Sequence, residues 1–224
     1  MGTRAIPLKT SATHPVRVHV DAPTAERNRL TTAFRCILAI PHVLLVGTPI
    51  AAAMTWSRTN EAGVDYSWSA GGGALGAVAV VAAIIAWFAI VFTGSAPDGL
   101  TKLSAFYLRW RVRASAYVAL LRDEYPPFGD GAYAAEVDLP AVVGPRDRLT
   151  VAFRPILAIP HLLAIWAIGF AWAVTTIVAW FAILFTGRYP RALYDFATGA
   201  LRWTTRVEAY LLLLTDEYPP FSLQ

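Results

Sequence analysis

Two stretches of this 224-residue chain say nearly the same thing. Residues 148–221 open with RLTVAFRPILAIPH, run apolar to Phe185, pass through FTGRYP and close on LRWTTRVEAYLLLLTDEYPPF. Residues 29–128 open with RLTTAFRCILAIPH, reach AWFAIVFTG and close on LRWRVRASAYVALLRDEYPPF. The chain is therefore a tandem duplication, and each copy is mostly apolar sequence of membrane length.

Composition supports the same solvent. Hydrophobic residues make up 56% of the chain and charged residues 15%, against a usual charged share of roughly 25%. A core of this size cannot hide that much apolar surface, and a bilayer can. The net charge of +4 fits basic flanks of membrane segments and anionic head groups better than nucleic acid. Cys36 is the one cysteine, so no internal disulfide forms. The first thirty residues lack an apolar core; the first span is expected to act as its own insertion signal.

Taken in order, residues 1–15 read as a flexible tail. Residues 16–20 and 135–139 alternate as short strands and are expected to pair as a small cytoplasmic sheet. The apolar run 30–56 is broken only by Arg35 and His42, with Arg35 near enough to one end to snorkel. Pro41 should kink it and free a carbonyl. Residues 57–73 read as a loop, and 74–92 as a second span closed by Thr93-Gly94. In the second copy the loop is missing. The run 151–185, interrupted only by Arg154 and His161, either turns back near Gly169 or forms one steeply tilted span.

Charge placement favours the turn. Basic residues gather before the first run, between the copies and after the last run, whereas the loop 57–73 holds only Arg58 against Glu61 and Asp65. The positive-inside rule then places three basic regions in the cytoplasm and the loop outside, which requires four spans. After each second span, residues 100–121 and 193–214 carry apolar positions at helical spacing opposite Arg, Lys and Asp. They read as interfacial amphipathic helices, each ended by Tyr-Pro-Pro-Phe. Trp87, Trp110, Trp180 and Trp203 read as interfacial anchors.

The signature FRPILAIPH, WFAILFTGRYPRALYDF and LRWTTRVEAYLLLLTDEYPPF resembles a bacterial membrane-protein family, the domain of unknown function 4389 family. The resemblance covers most of residues 148–221 and the first copy more loosely. FTGSAPDGL stands where the second copy has FTGRYPRAL, and Cys36 where it has Pro155. It implies an integral-membrane, tandem architecture and brings no activity, substrate or cofactor.

Three sets of residues could carry chemistry. Arg35 and His42, repeated as Arg154 and His161, stand seven apart and so share a helix face. Near the midplane they could relay protons or bind a metal or quinone; the structural alternative is an imidazole bonded to the carbonyl freed by Pro41 or Pro160. Two histidines without a carboxylate or thiolate make a poor metal site. Arg109/Arg113 and Arg202/Arg206 stand at i,i+4, a spacing suited to phosphate head groups; Arg188 and Arg191 exist only in the second copy. Asp123-Glu124 and Asp216-Glu217 read as capping or salt-bridging turns.

The sequence thus leads to an all-α integral membrane protein of two tandem repeats, 16–128 and 129–224. Each is a transmembrane helical hairpin plus an interfacial amphipathic helix, with a small cytoplasmic β element and both termini cytoplasmic in a bacterial inner membrane. The expected function is non-enzymatic: an accessory or scaffold subunit contacting anionic lipids or a larger membrane complex. The alternatives are a small transporter or channel-like protein using the Arg/His pairs, and a membrane enzyme acting on lipids. No cofactor, metal or nucleic-acid partner is implied.

Overall fold

The computed structural model describes residues 14–21, 27–50, 55–59, 63, 65–69, 72–140 and 144–223. The expected tail, 1–15, lies almost wholly outside them. The second repeat shows the plan most simply. Helix α6 (Arg148–Thr186) runs 39 residues without a break, about 58 Å at 1.5 Å per residue. Asp147 caps its start by accepting from Leu149 N at 3.0 Å. Gly187, at φ +72°, stops it in the left-handed conformation.

This corrects the expected turn at Gly169: the second repeat has one long helix, not a hairpin. Gly169 has another use. A Cβ there would stand 3.3 Å from the Pro49 carbonyl, so glycine admits a close approach from the first repeat.

The first repeat makes the same rod in pieces. Helices α1 (Arg29–Ala33), α2 (Arg35–Leu38) and α3 (Ile40–Val46) follow one another, and Leu38 N→Phe34 O and Val43 N→Ala39 O bonds carry the ladder across the joints. The expected first span, 30–56, is cut short: its helix ends at Val46, β2 (Thr55–Thr59) begins inside it, and β2 pairs antiparallel with β3 (Asp65–Ser69) from the expected loop. Helix α4 (Gly73–Thr93) then resumes against the end of α3. A Cβ on Gly73 would lie 2.6 Å from the Leu45 carbonyl and from Gly47 N. Residues 29–46 followed by 73–93 match α6 position for position. The first rod is a long helix opened in the middle to admit a hairpin.

The two rods pack antiparallel. Trp87 Nε1 donates to Val151 O, and Trp180 Nε1 donates to Thr32 O, both at 2.8 Å. The start of each rod therefore lies against the end of the other. Backbone bonds clasp the same corners, Arg27 N→Gly187 O and Arg146 N→Gly94 O, both at 3.0 Å.

Helices α5 (Asp98–Val118) and α7 (Arg191–Leu211) form a second layer across the rods. Strands β1 (Arg17–Val20) and β4 (Ala135–Asp138) pair antiparallel above it, as expected, centred on Val18 opposite Val137. A pseudo-two-fold axis runs through that pair and perpendicular to both rods. All of Tyr107–Tyr117 in α5 except the half-buried Arg109, and about half of α7, are buried, because one face meets the rods and the other meets the strands. They are not interfacial helices. Trp110 and Trp203 are buried with them rather than anchored at an interface.

The other face of the rods is bare. Phe34, Ile37, Leu44, Val81, Ile85 and Phe92 on the first rod, and Phe153, Leu163, Trp166, Phe170, Val174 and Phe185 on the second, are all exposed. Helices α4 and α6 are long and apolar enough to cross a membrane.

Candidate functional site

Each repeat folds its closing motif back over its rod to make a polar clamp and an aromatic cage. In the first, Arg35 is 2% exposed and does not snorkel. Its guanidinium lies 4.1 Å from the Tyr117 ring centroid and donates to Tyr117 O at 3.1 Å, to Arg122 O and to Asp123 Oδ1 at 2.7 Å. In the second, Arg154 lies 4.3 Å from the Tyr210 centroid and donates to Tyr210 O and Thr215 O, each at 3.0 Å, and to Asp216 Oδ1 at 2.7 Å.

The local reason is the end of α5 and α7. A helix leaves its last carbonyls unpaired, and here a buried arginine from the rod collects them. Leu120 and Leu213 follow in the left-handed region, at φ +62° and +61°. Their side chains hold them there: Leu120 packs on Ala179 and Ile183, and Leu213 on Ala86, Ile90 and Val151.

The histidines sit further along the same faces. His42 Nδ1 accepts from Trp110 Nε1 at 2.9 Å, so that nitrogen carries no proton. Phe128 stacks on the ring at 4.5 Å and Tyr125 lies at 4.9 Å. His161 meets Phe221 at 4.1 Å, Tyr218 at 4.8 Å and Trp203 at 5.8 Å. The expected histidine bond to a proline-freed carbonyl is replaced by the indole contact in the first repeat. In the second repeat both ring nitrogens of His161 are buried without a hydrogen-bond partner among the described residues, and the carbonyl that Pro155 frees, Val151 O, accepts from Trp87. Each Arg/His pair is thus enclosed within its own repeat, its arginine held by carbonyls and a carboxylate and its histidine among rings. Among the described residues no cluster of three His, Cys, Asp or Glu side chains could hold a metal.

The four arginines at i,i+4 divide. Arg113 donates to Gly129 O at 2.8 Å, and Arg206 to Ser222 O at 3.5 Å; both tether the returning tail. Burial lowers the Arg206 pKa, and the neighbouring Arg202 charge adds to that. Arg202 donates to Val18 O at 3.4 Å. Arg109 lines a cavity, described below. Arg188 and Arg191 are exposed at the end of the second rod. The sequence does not reveal that the tail's Asp, Tyr and Phe all serve the rod's Arg and His. The signal was their joint recurrence in both copies.

One clamp belongs to the first repeat alone. Arg111 Nη1 donates to Val46 O at 2.9 Å, where the rod is interrupted, and its Nε meets both carboxylate oxygens of Glu208 at 2.8–2.9 Å. Burial would lower the Arg111 pKa, but Glu208 and Tyr107 together outweigh it and raise it. The equivalent position in α7 is Thr204, beneath an unbroken helix with no carbonyl to satisfy.

A cavity of about 970 Å³ opens beside α5. Ala96, Thr101, Lys102, Phe106, Arg109, Asp130 and Arg146 are among its walls. The matching place in the second repeat is filled. Tyr189 stands where the first repeat has Ala96, and Tyr194 where it has Thr101. The two rings pack edge to face at 5.5 Å. Tyr189 donates to Ala119 O at 3.2 Å, and Arg27 lies over its ring at 5.9 Å.

These observations define a two-repeat, mainly helical protein with two helices able to cross a membrane. The domain of unknown function (DUF4389) family model matches residues 72–129 and 148–222. The chain belongs to that family. No curated protein and no solved structure matches it.

Proposed function

We propose that this protein is a non-enzymatic membrane scaffold whose two rods lie along the bilayer surface rather than across it. The apolar face sinks into one leaflet, and the layers of α5, α7 and the β1–β4 sheet stand on the cytoplasmic side. There they meet anionic head groups or a larger membrane complex. The observation that carries this is the one-sided exposure of large apolar side chains along the whole of both rods.

Length and charge support the orientation. A rod of about 58 Å far exceeds a hydrocarbon core of about 30 Å. The rods run antiparallel, so Arg29, Arg188 and Arg191 gather at one end and Lys102 and Arg148 at the other. Rods crossing the bilayer would carry one basic cluster to the far side, against the positive-inside rule. Rods in the plane keep both clusters among the head groups of one leaflet. Two helices side by side present an apolar strip on the order of 1,000 Å², well above the largest patch on a typical soluble monomer. This orientation replaces the multi-pass layout expected from sequence, because neither repeat folds its apolar segments back on themselves: α6 is continuous and α3 runs on into α4.

Flotation of the full-length protein on lipid vesicles tests the membrane reading. It should rise with vesicles of neutral lipid and resist high salt, since apolar burial holds it. Release by salt alone would overturn the proposal.

A further inference from the structure

The two repeats differ most where Ala96 and Thr101 replace Tyr189 and Tyr194. In the second repeat the two phenol rings close the space between α7, the corner at Gly187 and the clamp of Arg27. In the first, the same corner is an open cavity. Its walls carry Lys102, Arg109 and Arg146 together with the carboxylates of Asp98 and Asp130.

Arg146 is built into this cavity and incompletely used. Its side chain is 3% exposed. Nε donates to Asp216 Oδ2 at 3.1 Å and Nη1 to Leu213 O at 2.7 Å. Nη2 is buried with no hydrogen-bond partner. Its counterpart Arg27 has the Tyr189 ring as cover; Arg146 faces an alanine position instead. A buried guanidinium nitrogen left without an acceptor costs free energy unless a ligand supplies one. Burial also lowers the Arg146 pKa despite the Asp216 charge, so an added anion would be stabilising.

We propose that this cavity binds the head group of a membrane phospholipid, a phosphodiester carrying hydroxyl groups. The phosphate oxygens accept from Arg146, Arg109 and Lys102, a cation set that suits phosphate. The hydroxyls donate to Asp98 and Asp130, which a quaternary ammonium head group cannot do. Two features favour a lipid over a soluble phosphate ester. The cavity lies at the corner where the first rod ends, bounded by Ser95 and Ala96. Leu213 also walls a second, apolar groove of about 440 Å³ between α4 and α6, lined by Val80, Ile84 and Phe88, which can take an acyl chain. The inference rests on the membrane reading above.

The test uses the full chain in mild detergent, with native mass spectrometry counting bound phosphatidylglycerol against phosphatidylcholine. The wild type should hold one phosphatidylglycerol and prefer it by roughly tenfold or more, the scale of a few charge-assisted hydrogen bonds. The double variant Ala96→Tyr/Thr101→Tyr restores the plug of the second repeat without changing any charge and should lose that preference. Arg109→Gln should weaken it, and a melting curve shows that each variant is folded. Equal retention of the two lipids by the wild type, or undiminished binding by the folded tyrosine variant, overturns the site. Displacement by soluble glycerol phosphate at equal concentration overturns the lipid as its source. Wild-type flotation on neutral vesicles judges the membrane reading separately.

Discussion

The indole N–H of Trp180 donates to the carbonyl of Thr32 at 2.8 Å, joining residues 148 positions apart. With its counterpart from Trp87 to Val151, this bond fixes the antiparallel course of the rods. It also sets the two-fold axis perpendicular to them.

Trp87→Phe should destabilise the fold by about 1–3 kcal/mol, because it leaves Val151 O, already deprived of a helical partner by Pro155, unsatisfied at a part-buried contact. Thermal unfolding in detergent measures it. A change within error would mean that another donor takes over.

Asp123→Asn should cost more than Asp216→Asn. Two arginines face each carboxylate, Arg35 and Arg27 at 2.7 and 3.5 Å from Asp123 and Arg154 and Arg146 at 2.7 and 3.1 Å from Asp216, but Asp123 is the less exposed, 25% against 43%. Removing one partner of a buried pair costs about 3–5 kcal/mol, and the greater solvent access of Asp216 should place its loss below that. Denaturant midpoints of the two variants rank them directly.

Excising residues 47–72, so that Val46 is followed by Gly73, should give a folded protein whose first rod is as continuous as α6. The two parts already abut, as the 2.6 Å approach at Gly73 shows. Circular dichroism should keep its helical signal. Arg111→Thr, costly in the full chain because Val46 O loses its donor, should cost less in the excised one. Loss of the helical signal on excision would show that the hairpin is needed for the rod to form.

Tyr107 should ionise late. Burial, with Glu208 adding to it and Arg111 opposing, raises its pKa to about 12. The unfolded chain gives up this proton near pH 10, before the folded chain does. Stability therefore falls as pH rises through that window, by about 3 kcal/mol in total, and is unaffected below it. Ultraviolet titration of tyrosine, wild type against Tyr107→Phe, should show one late-ionising group removed by the substitution.

Much of this was legible in the sequence. The duplication showed two copies of one unit, the alternation at 16–20 and 135–139 marked the paired strands, and Thr93-Gly94 marked the end of the first rod. The course of α6 was not legible. An apolar run states its length but not whether it bends, and Gly169 serves a close approach while resembling a turn. The cages were hidden because they join a rod to a tail some 60–90 positions later. The cavity was hardest of all: FTGSAPDGL reads only as a departure from FTGRYPRAL, and packing alone shows that Ala96 and Thr101, in place of two tyrosines, leave a volume.

The central claim is the in-plane course of the rods. It is tested most directly by nitroxide labels along the bare face of α6, at Phe153→Cys, Leu163→Cys, Val174→Cys and Phe185→Cys in a Cys36→Ser background, in lipid vesicles. Oxygen and aqueous-relaxant accessibilities give each label's depth. Rods lying in one leaflet place all four at similar depth, within about 5–10 Å of the head-group boundary. A profile that is deepest at Leu163 and Val174, with Phe153 and Phe185 reached by relaxant from opposite sides of the membrane, would contradict it.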